Sequence, residues 1–360
     1  DEVGYYFADK YFDIPPPDFP NKQPKVYHII QHSHTDAGWI KTMLYYYQQA
    51  VERILKSSVE YIHEHHDSAS QFSFTNFDFL RMFLRLNPST ETKEIMDELI
   101  KNKRYEILNS AIAMPDQSVT YFEDLINNME YGREYGLKTF GQISRHGWTI
   151  DNFGQSAFNS RLFAELGYDT VSTVRLPFQF KDRLKFSKNM NFIWESKYHE
   201  YDMFTHVFSH HYTPPFPALF FNEFIDEKII STDFNLLKKV HDFFIHSRQE
   251  YDNYKEVNVM LPMGNDVVYT NFGETVRNHI KLYIGLRSNQ KSVFEGNKFI
   301  VSSVEQYYKA IKEENLEYNK VPPSDYTLIN ILMYDEVDWW SGFFSVRPNL
   351  KYQIRAYGQF

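Results

Sequence analysis

His34 and Asp36 stand two residues apart in the run His32-Ser33-His34-Thr35-Asp36-Ala37-Gly38-Trp39. Side chains two apart on an extended segment point to the same side, so one imidazole nitrogen and one carboxylate oxygen can reach one ion. That donor pair suits zinc or a similar divalent cation. A plainer reading makes His34 a core histidine and Asp36 the cap of a helix opening near Trp39, and the pair taken alone favours it. A further carboxylate, Asp151 in Asp151-Asn152-Phe153-Gly154-Gln155-Ser156, shifts that balance. Other polar groups recur in similar places: Asn76 and Asp78, Asp116 and Gln117, and Asp266 after Gly264-Asn265. Such loops are polar by default, but several acids in register with a histidine carry more weight than one.

These residues need strands that end where they begin. Lys25 to Gln31, Gln71 to Asn76, Arg104 to Leu108, His146 to Ile150, Thr170 to Val174, Asn191 to Trp194, Met203 to Phe208, Val257 to Pro262 and Phe299 to Ser302 read as strands. Helical patterns lie between them: Lys41 to His66, Asp78 to Leu86, Thr90 to Lys101, Tyr121 to Gly136, Ser156 to Leu166, Phe234 to Tyr254, Phe272 to Leu286 and Val304 to Lys312. Gly136 suits a C-terminal cap. Strands alternating with helices predict a mostly parallel sheet with helices on its faces. Sheets of that kind place chemistry in loops at the carboxyl ends of their strands. Residues 1–24, with Pro15-Pro16-Pro17 and Pro20, read as an extended arm.

Composition narrows the function classes. The 360 residues carry a formal charge of −9, so no basic excess exists to neutralise a nucleic-acid backbone. Hydrophobic residues are 42% and aromatics 18%, which argues against disorder or a coiled coil. No apolar run approaches the roughly 18 residues of a membrane span. The absence of cysteine excludes disulfides, thiolate metal sites and cysteine nucleophiles. Asn87-Pro88-Ser89 is the only glycosylation-like triplet, and its proline blocks it. The chain opens at Asp1 without a basic or apolar leader, so a targeting peptide is expected to be absent or already removed.

Four segments together resemble glycoside hydrolase family 38, the class II α-mannosidases. His32 to Thr42 (HSHTDAGWIKT) is similar to the first signature, with Lys41-Thr42 most similar to the lysosomal branch. Trp148 to Ser156 (WTIDNFGQS) resembles W-x-I-D-P-F-G-H-S, and Met263 to Tyr269 (MGNDVVY) resembles G-x-D-F-x-Y. Trp340 to Pro348 (WSGFFSVRP) resembles W-[ST]-G-[YF]-[YF]-x-S-R-P. They occur in family order from about Lys25 to Phe360.

The resemblance implies a seven-stranded barrel-like sheet over 25–320 and, over 321–360, entry into a helical bundle. It implies a metal-dependent retaining α-mannosidase acting on α-linked mannose in N-glycans or oligosaccharides. Asp151 is then the nucleophile and a metal ligand, Asp266 the general acid/base, and His34 and Asp36 the other ligands of one zinc ion, with cobalt as a substitute. Among substrate-binding residues, Trp39 and Trp340 would wall the sugar site, Phe153 would sit beside the nucleophile, and Arg347 would lie near the pocket and orient carboxylates. Asp266 is expected in a dry setting flanked by aromatics, so that it stays protonated. The family's fourth ligand is a histidine in a His-His-Asp segment beyond the bundle. The chain is therefore read as incomplete, associating with a C-terminal portion or chain, in a lysosomal or secreted setting.

Asn152, Gln155 and Gln117 depart from the family's proline, histidine and glutamate, and Asn76 stands where a glutamate is usual. The rival readings are a metal-dependent polysaccharide deacetylase and an inactive glycan-binding remnant. The deacetylase needs further histidine ligands soon after His34, and the sequence has no such pattern. His63, His65 and His66 read as the basic end of a helix, His210-His211 as a solvated loop, and Asp335, Glu336 and Asp338 as an acidic loop.

Overall fold

The computed structural model describes residues 23–66, 70–87, 89–196, 200–215, 234–276, 296–326, 331–333, 336–338 and 340–358. Residues 1–22 of the expected arm, residues 277–286 of the expected 272–286 helix, and Asp335 lie outside them. The chain divides into two compact units: Asp1–Phe74, Phe83–Glu106 and His210–Leu316 form one, and Thr75–Met82, Ile107–Ser209 and Glu317–Phe360 the other.

The first unit is organised by strand β1 (Val26–His34), buried at every position after Val26. Burial that does not alternate between faces marks a parallel strand covered on both sides, here even though His28, Gln31, His32, Ser33 and His34 are polar. β1 pairs in parallel with β8 (Asn258–Asp266) over its whole length, from Val26↔Asn258 to His34↔Asp266. It also pairs with β9 (Lys298–Val301) near its start and with β2 (Phe72–Thr75) at His32↔Ser73. With β3 (Tyr105–Leu108) these make one five-stranded sheet. Phe72 anchors its core edge-on to Tyr105, Tyr269 and Phe272, at 5.7, 5.2 and 5.2 Å between ring centres.

The long helix expected from Lys41 to His66 is broken into three. A short helix α1 (Met43–Tyr46) is capped by Thr42, whose hydroxyl accepts from Tyr45 N. A π-helical turn (Tyr47–Val51) follows, then α2 (Glu52–Glu64). The wide turn lets both Tyr47 and Val51 reach the core. Along α2, Ile54, Leu55, Val59 and Ile62 form the buried stripe. Helices α3 (Asp78–Leu86) and α4 (Thr90–Lys101) follow the expected bounds.

The second unit holds the other five-stranded sheet, in the order β10-β6-β7-β5-β4: Lys320–Val321, Asn191–Trp194, Met203–Val207, Thr170–Thr173 and His146–Thr149. All its pairs are parallel except β6 with β7. Helix α5 (Phe122–Phe140) and helix α6 (Phe158–Glu165) pack Leu125, Met129, Leu162 and Phe163 around Val171 and Met203. Gly136 does not cap α5: it is buried inside the helix, where a Cβ would lie 2.7 Å from Ile143 and Phe77. The cap is Gly141, at φ 69°. A helix absent from the sequence reading, α7 (Phe178–Phe186), starts after Pro177.

Helices α8 (Phe234–Tyr251) and α9 (Val304–Glu313) complete the first unit, α9 with a Ser303–Gln306 capping box. In the second, β11 (Ile331–Met333) and β12 (Glu336–Asp338) pair antiparallel, so Glu336 and Asp338 lie on a strand rather than in a loop. A 3-10 turn (Ser341–Phe344) and helix α10 (Pro348–Tyr357) follow. The mixed α/β class with a mostly parallel sheet, expected from the alternation of elements, is the one observed. No described helix is long and apolar enough to cross a membrane.

Candidate active site

In the first unit the site grows from the carboxyl ends of β1 and β8. The register sets His34 beside Asp266. Val267 N donates to His34 O at 2.9 Å and Val268 N to Ser33 Oγ at 3.1 Å, locking the two strand ends together. His34 is buried, and its Nε2 lies 3.4 Å from Asp36 Oδ1. Asp36 does not cap a helix, since Thr42 performs that role for α1. The plainer reading of Asp36 therefore fails.

Two donors sharing one tetrahedral zinc at about 2.1 Å each stand about 3.4 Å apart. The His34–Asp36 spacing fits such an ion, and the imidazole-carboxylate chemistry suits it. Beside Asp36 lies a cavity of about 100 Å³ lined by Thr35, Asp36, Trp39, Tyr46, Val51, Asp266 and Val267. Trp39 is 74% exposed, so it offers a free aromatic face.

His32 supports the arrangement from below. Its Nε2 donates to Tyr212 O at 2.8 Å, and burial lowers its pKa to about 3, so the ring stays neutral. Its β8 neighbour has to be glycine: a Cβ at Gly264 would lie 2.3 Å from His32 O and 2.5 Å from His32 Nε2. Tyr212 carries the link onward, its ring 5.4 Å from that of His34 and its hydroxyl donating to Asp266 Oδ1 at 2.8 Å. Aromatics do flank Asp266, with Tyr212 bonded to it and Trp39 and Tyr46 lining the same cavity, but the dry setting expected for it is not found, because Asp266 is solvent-exposed. β8 ends on this residue, so its side chain leaves the sheet edge toward water.

In the second unit Asp151 follows the carboxyl end of β4. Arg175 donates to its Oδ1 from Nε at 2.8 Å and from Nη2 at 2.5 Å, with the side chains 10% and 17% exposed. The same guanidinium lies 4.3 Å over the Phe153 ring. Phe153 stacks on Trp340 at 5.5 Å and meets Phe343 edge-on at 5.9 Å. The unit thus presents a gripped carboxylate beside an aromatic wall. Arg347 is exposed at the start of α10 and forms no ion pair among the described residues. The guanidinium on a candidate catalytic carboxylate belongs instead to Arg175.

Sequence reasoning missed Arg175 and Tyr212. Arg175 stands just after β5, where a cation falls outside the pattern of acids and histidines at strand ends. Tyr212 is 54 residues from Asp266, and no local spacing announces the contact. His63, His65 and His66 behave as expected: α2 ends at Glu64, and His65 stacks on Tyr61 at 3.9 Å.

The profile of the Glycosyl hydrolases family 38 N-terminal domain matches residues 24–330. The chain is 28% identical over 341 residues to the lysosomal alpha-mannosidase of Dictyostelium discoideum, covering 91% of this chain and 33% of that one. It is 27% identical over 342 residues to the lysosomal alpha-mannosidase of Bos taurus, covering 90% and 34%. The chain spans about a third of the length of these curated relatives. An alpha-mannosidase from Enterococcus faecalis V583 shares the fold, with a TM-score of 0.63 and 18% identity over 85% of this chain and 31% of that one.

Proposed function

The chain belongs to glycosyl hydrolase family 38, and from that premise we propose that it carries the catalytic carboxylates of a metal-dependent retaining α-mannosidase. The observation behind this reading is the presentation of Asp151: a carboxylate leaving the end of β4, gripped by Arg175 beside the Phe153–Trp340 wall. Membership of this family also displaces the deacetylase reading.

In this account Asp151 attacks the anomeric carbon and forms a covalent glycosyl ester. Asp266 gives a proton to the departing glycosidic oxygen, then takes one from the water that hydrolyses the ester. Tyr212 orients Asp266 through Oδ1. The proton that Asp266 loses in the first step is regained in the second, so it ends the cycle protonated. Arg175 holds Oδ1 of Asp151 and fixes the carboxylate plane. Trp39, Phe153 and Trp340 receive the apolar faces of the pyranose rings, and Arg347 is a further substrate-binding residue.

His34, Asp36 and Asp151 would hold one divalent ion, zinc or cobalt, with a further ligand from a C-terminal portion or a second chain. Such an ion supplies positive charge that binds sugar hydroxyls and favours ring distortion. The substrates are mannose-containing glycans, and the setting is lysosomal or secreted.

Trapping with a 2-deoxy-2-fluoro mannosyl donor tests the covalent step. Mass spectrometry is expected to find the sugar on the peptide containing Asp151. Label on another carboxylate overturns the assignment. Glycan binding without any adduct or product favours the inactive remnant.

A further inference from the structure

We propose that Asn152 is a positioning residue for Asp151, clasping loop 115–118 onto the turn that carries the nucleophile. This rests on the reading of Asp151 given above. Asn152 is 1% exposed, and its Nδ2 donates to Pro115 O. The next residue is tied to the same loop twice: Phe153 N donates to Asp116 Oδ1 at 2.8 Å, and Ser118 Oγ donates to Phe153 O at 3.1 Å. Gly154 N donates back to Asn152 O at 3.0 Å, closing the turn. Gly154 itself is at φ 108°, and a Cβ there would lie 1.8 Å from Ser118 Oγ. The residues that follow Asp151 are therefore held to one loop at successive points, while Arg175 holds the carboxylate itself.

The residue type matters as well as the contact. The family motif that this segment resembles has proline at position 152, and a proline ring limits φ by its covalent geometry. Asparagine carries no such lock. Here its side-chain amide supplies a tie to Pro115 O instead. Its Oδ1 is buried without a hydrogen-bond partner among the described residues. Packing alone would be served better by an apolar side chain of similar size, because a buried unpartnered acceptor is unfavourable. What asparagine provides and leucine cannot is the donated bond.

That contrast makes the inference testable with Asn152→Leu, which keeps volume and removes both the donor and the unpartnered acceptor. The wild-type chain, Asp151→Asn, Asn152→Leu and Asn152→Pro are compared by thermal melting, aryl α-mannoside kinetics and amide exchange at Phe153 and Gly154. For Asn152→Leu we expect a melting temperature close to wild type, faster exchange at Phe153, and kcat reduced by up to about 100-fold with little change in KM. Asn152→Pro is expected to recover much of kcat. Wild-type kcat in Asn152→Leu, or a loss that merely follows the folded fraction, overturns the proposal. If the wild-type chain has no turnover, the mannosidase reading fails separately and exchange decides the clasp: faster exchange supports it, unchanged exchange refutes it.

Discussion

Replacing Arg175 with methionine removes the cation from Asp151 while keeping a long apolar stem. The pair is 10% and 17% exposed, well below the exposure at which solvent screening would make it negligible. Two N–H groups converge on one oxygen at 2.8 and 2.5 Å. Breaking a buried pair from one side costs about 3–5 kcal/mol, and the residual exposure argues for the lower end. The guanidinium also loses its place over Phe153, worth roughly 0.5–1 kcal/mol. A double-mutant cycle isolates the pair: Arg175→Met, Asp151→Asn and the double variant, each unfolded in urea. We expect a coupling of about 2–3 kcal/mol. Arg175→Lys should restore less than half of it, because one ammonium cannot reproduce the planar two-point grip. The same ~3 kcal/mol, if it maintains the attacking geometry, corresponds to about a 100-fold fall in kcat for Arg175→Met. A coupling under about 0.5 kcal/mol would refute the reasoning, whatever the kinetics show.

Other consequences follow from the same geometry. Asp266→Asn should slow mannosides with poor leaving groups far more than activated aryl mannosides, because only the former need the proton; equal losses would remove Asp266 from the acid role. Trp340→Ala should raise KM about tenfold, roughly 1.4 kcal/mol of binding, with little change in urea stability, since Trp340 is 42% exposed at the wall. Gly154→Ala should destabilise by about 1–3 kcal/mol, and trimming Ser118 to glycine should recover only part, because the φ of 108° remains. His206 is fully buried, its Nδ1 2.7 Å from Asn191 Oδ1, and burial lowers its pKa from 6.5 to about 3. Between those values the unfolded chain takes up a proton that the folded one refuses, so stability falls as pH drops. For this group alone the loss approaches about 2 kcal/mol by pH 5. Urea titrations at pH 7.5 and 5 should show a smaller drop for His206→Gln; an equal drop would contradict the assignment.

Much of the site was legible because strand ends are legible. Residues 26–30 read as a buried strand, so His34 and Asp36, two apart just beyond it, fall together at its carboxyl end. The same logic located Asp151 after β4 and Asp266 at the end of β8. The long-range ties could not be read in this way. Tyr212 reaches Asp266, and Asp116 reaches Phe153, across separations that no periodicity encodes. Gly136 was misread as a cap because glycine near a helix end signals termination. Its actual reason is steric, the approach of Phe77 and Ile143. The π-turn at Tyr47–Val51 escaped because a local widening leaves the 3.6-residue pattern on either side nearly intact. Asp266 was expected to be dry from its proposed role alone, and the strand end places it in water instead.

The most direct test of the central claim is hydrolysis of an aryl α-mannoside by the chain from acid to neutral pH. It is run with zinc, with cobalt and with chelator, beside Asp151→Asn. The account predicts turnover that requires the metal and is lost in the variant. Turnover that survives both chelation and Asp151→Asn would contradict it.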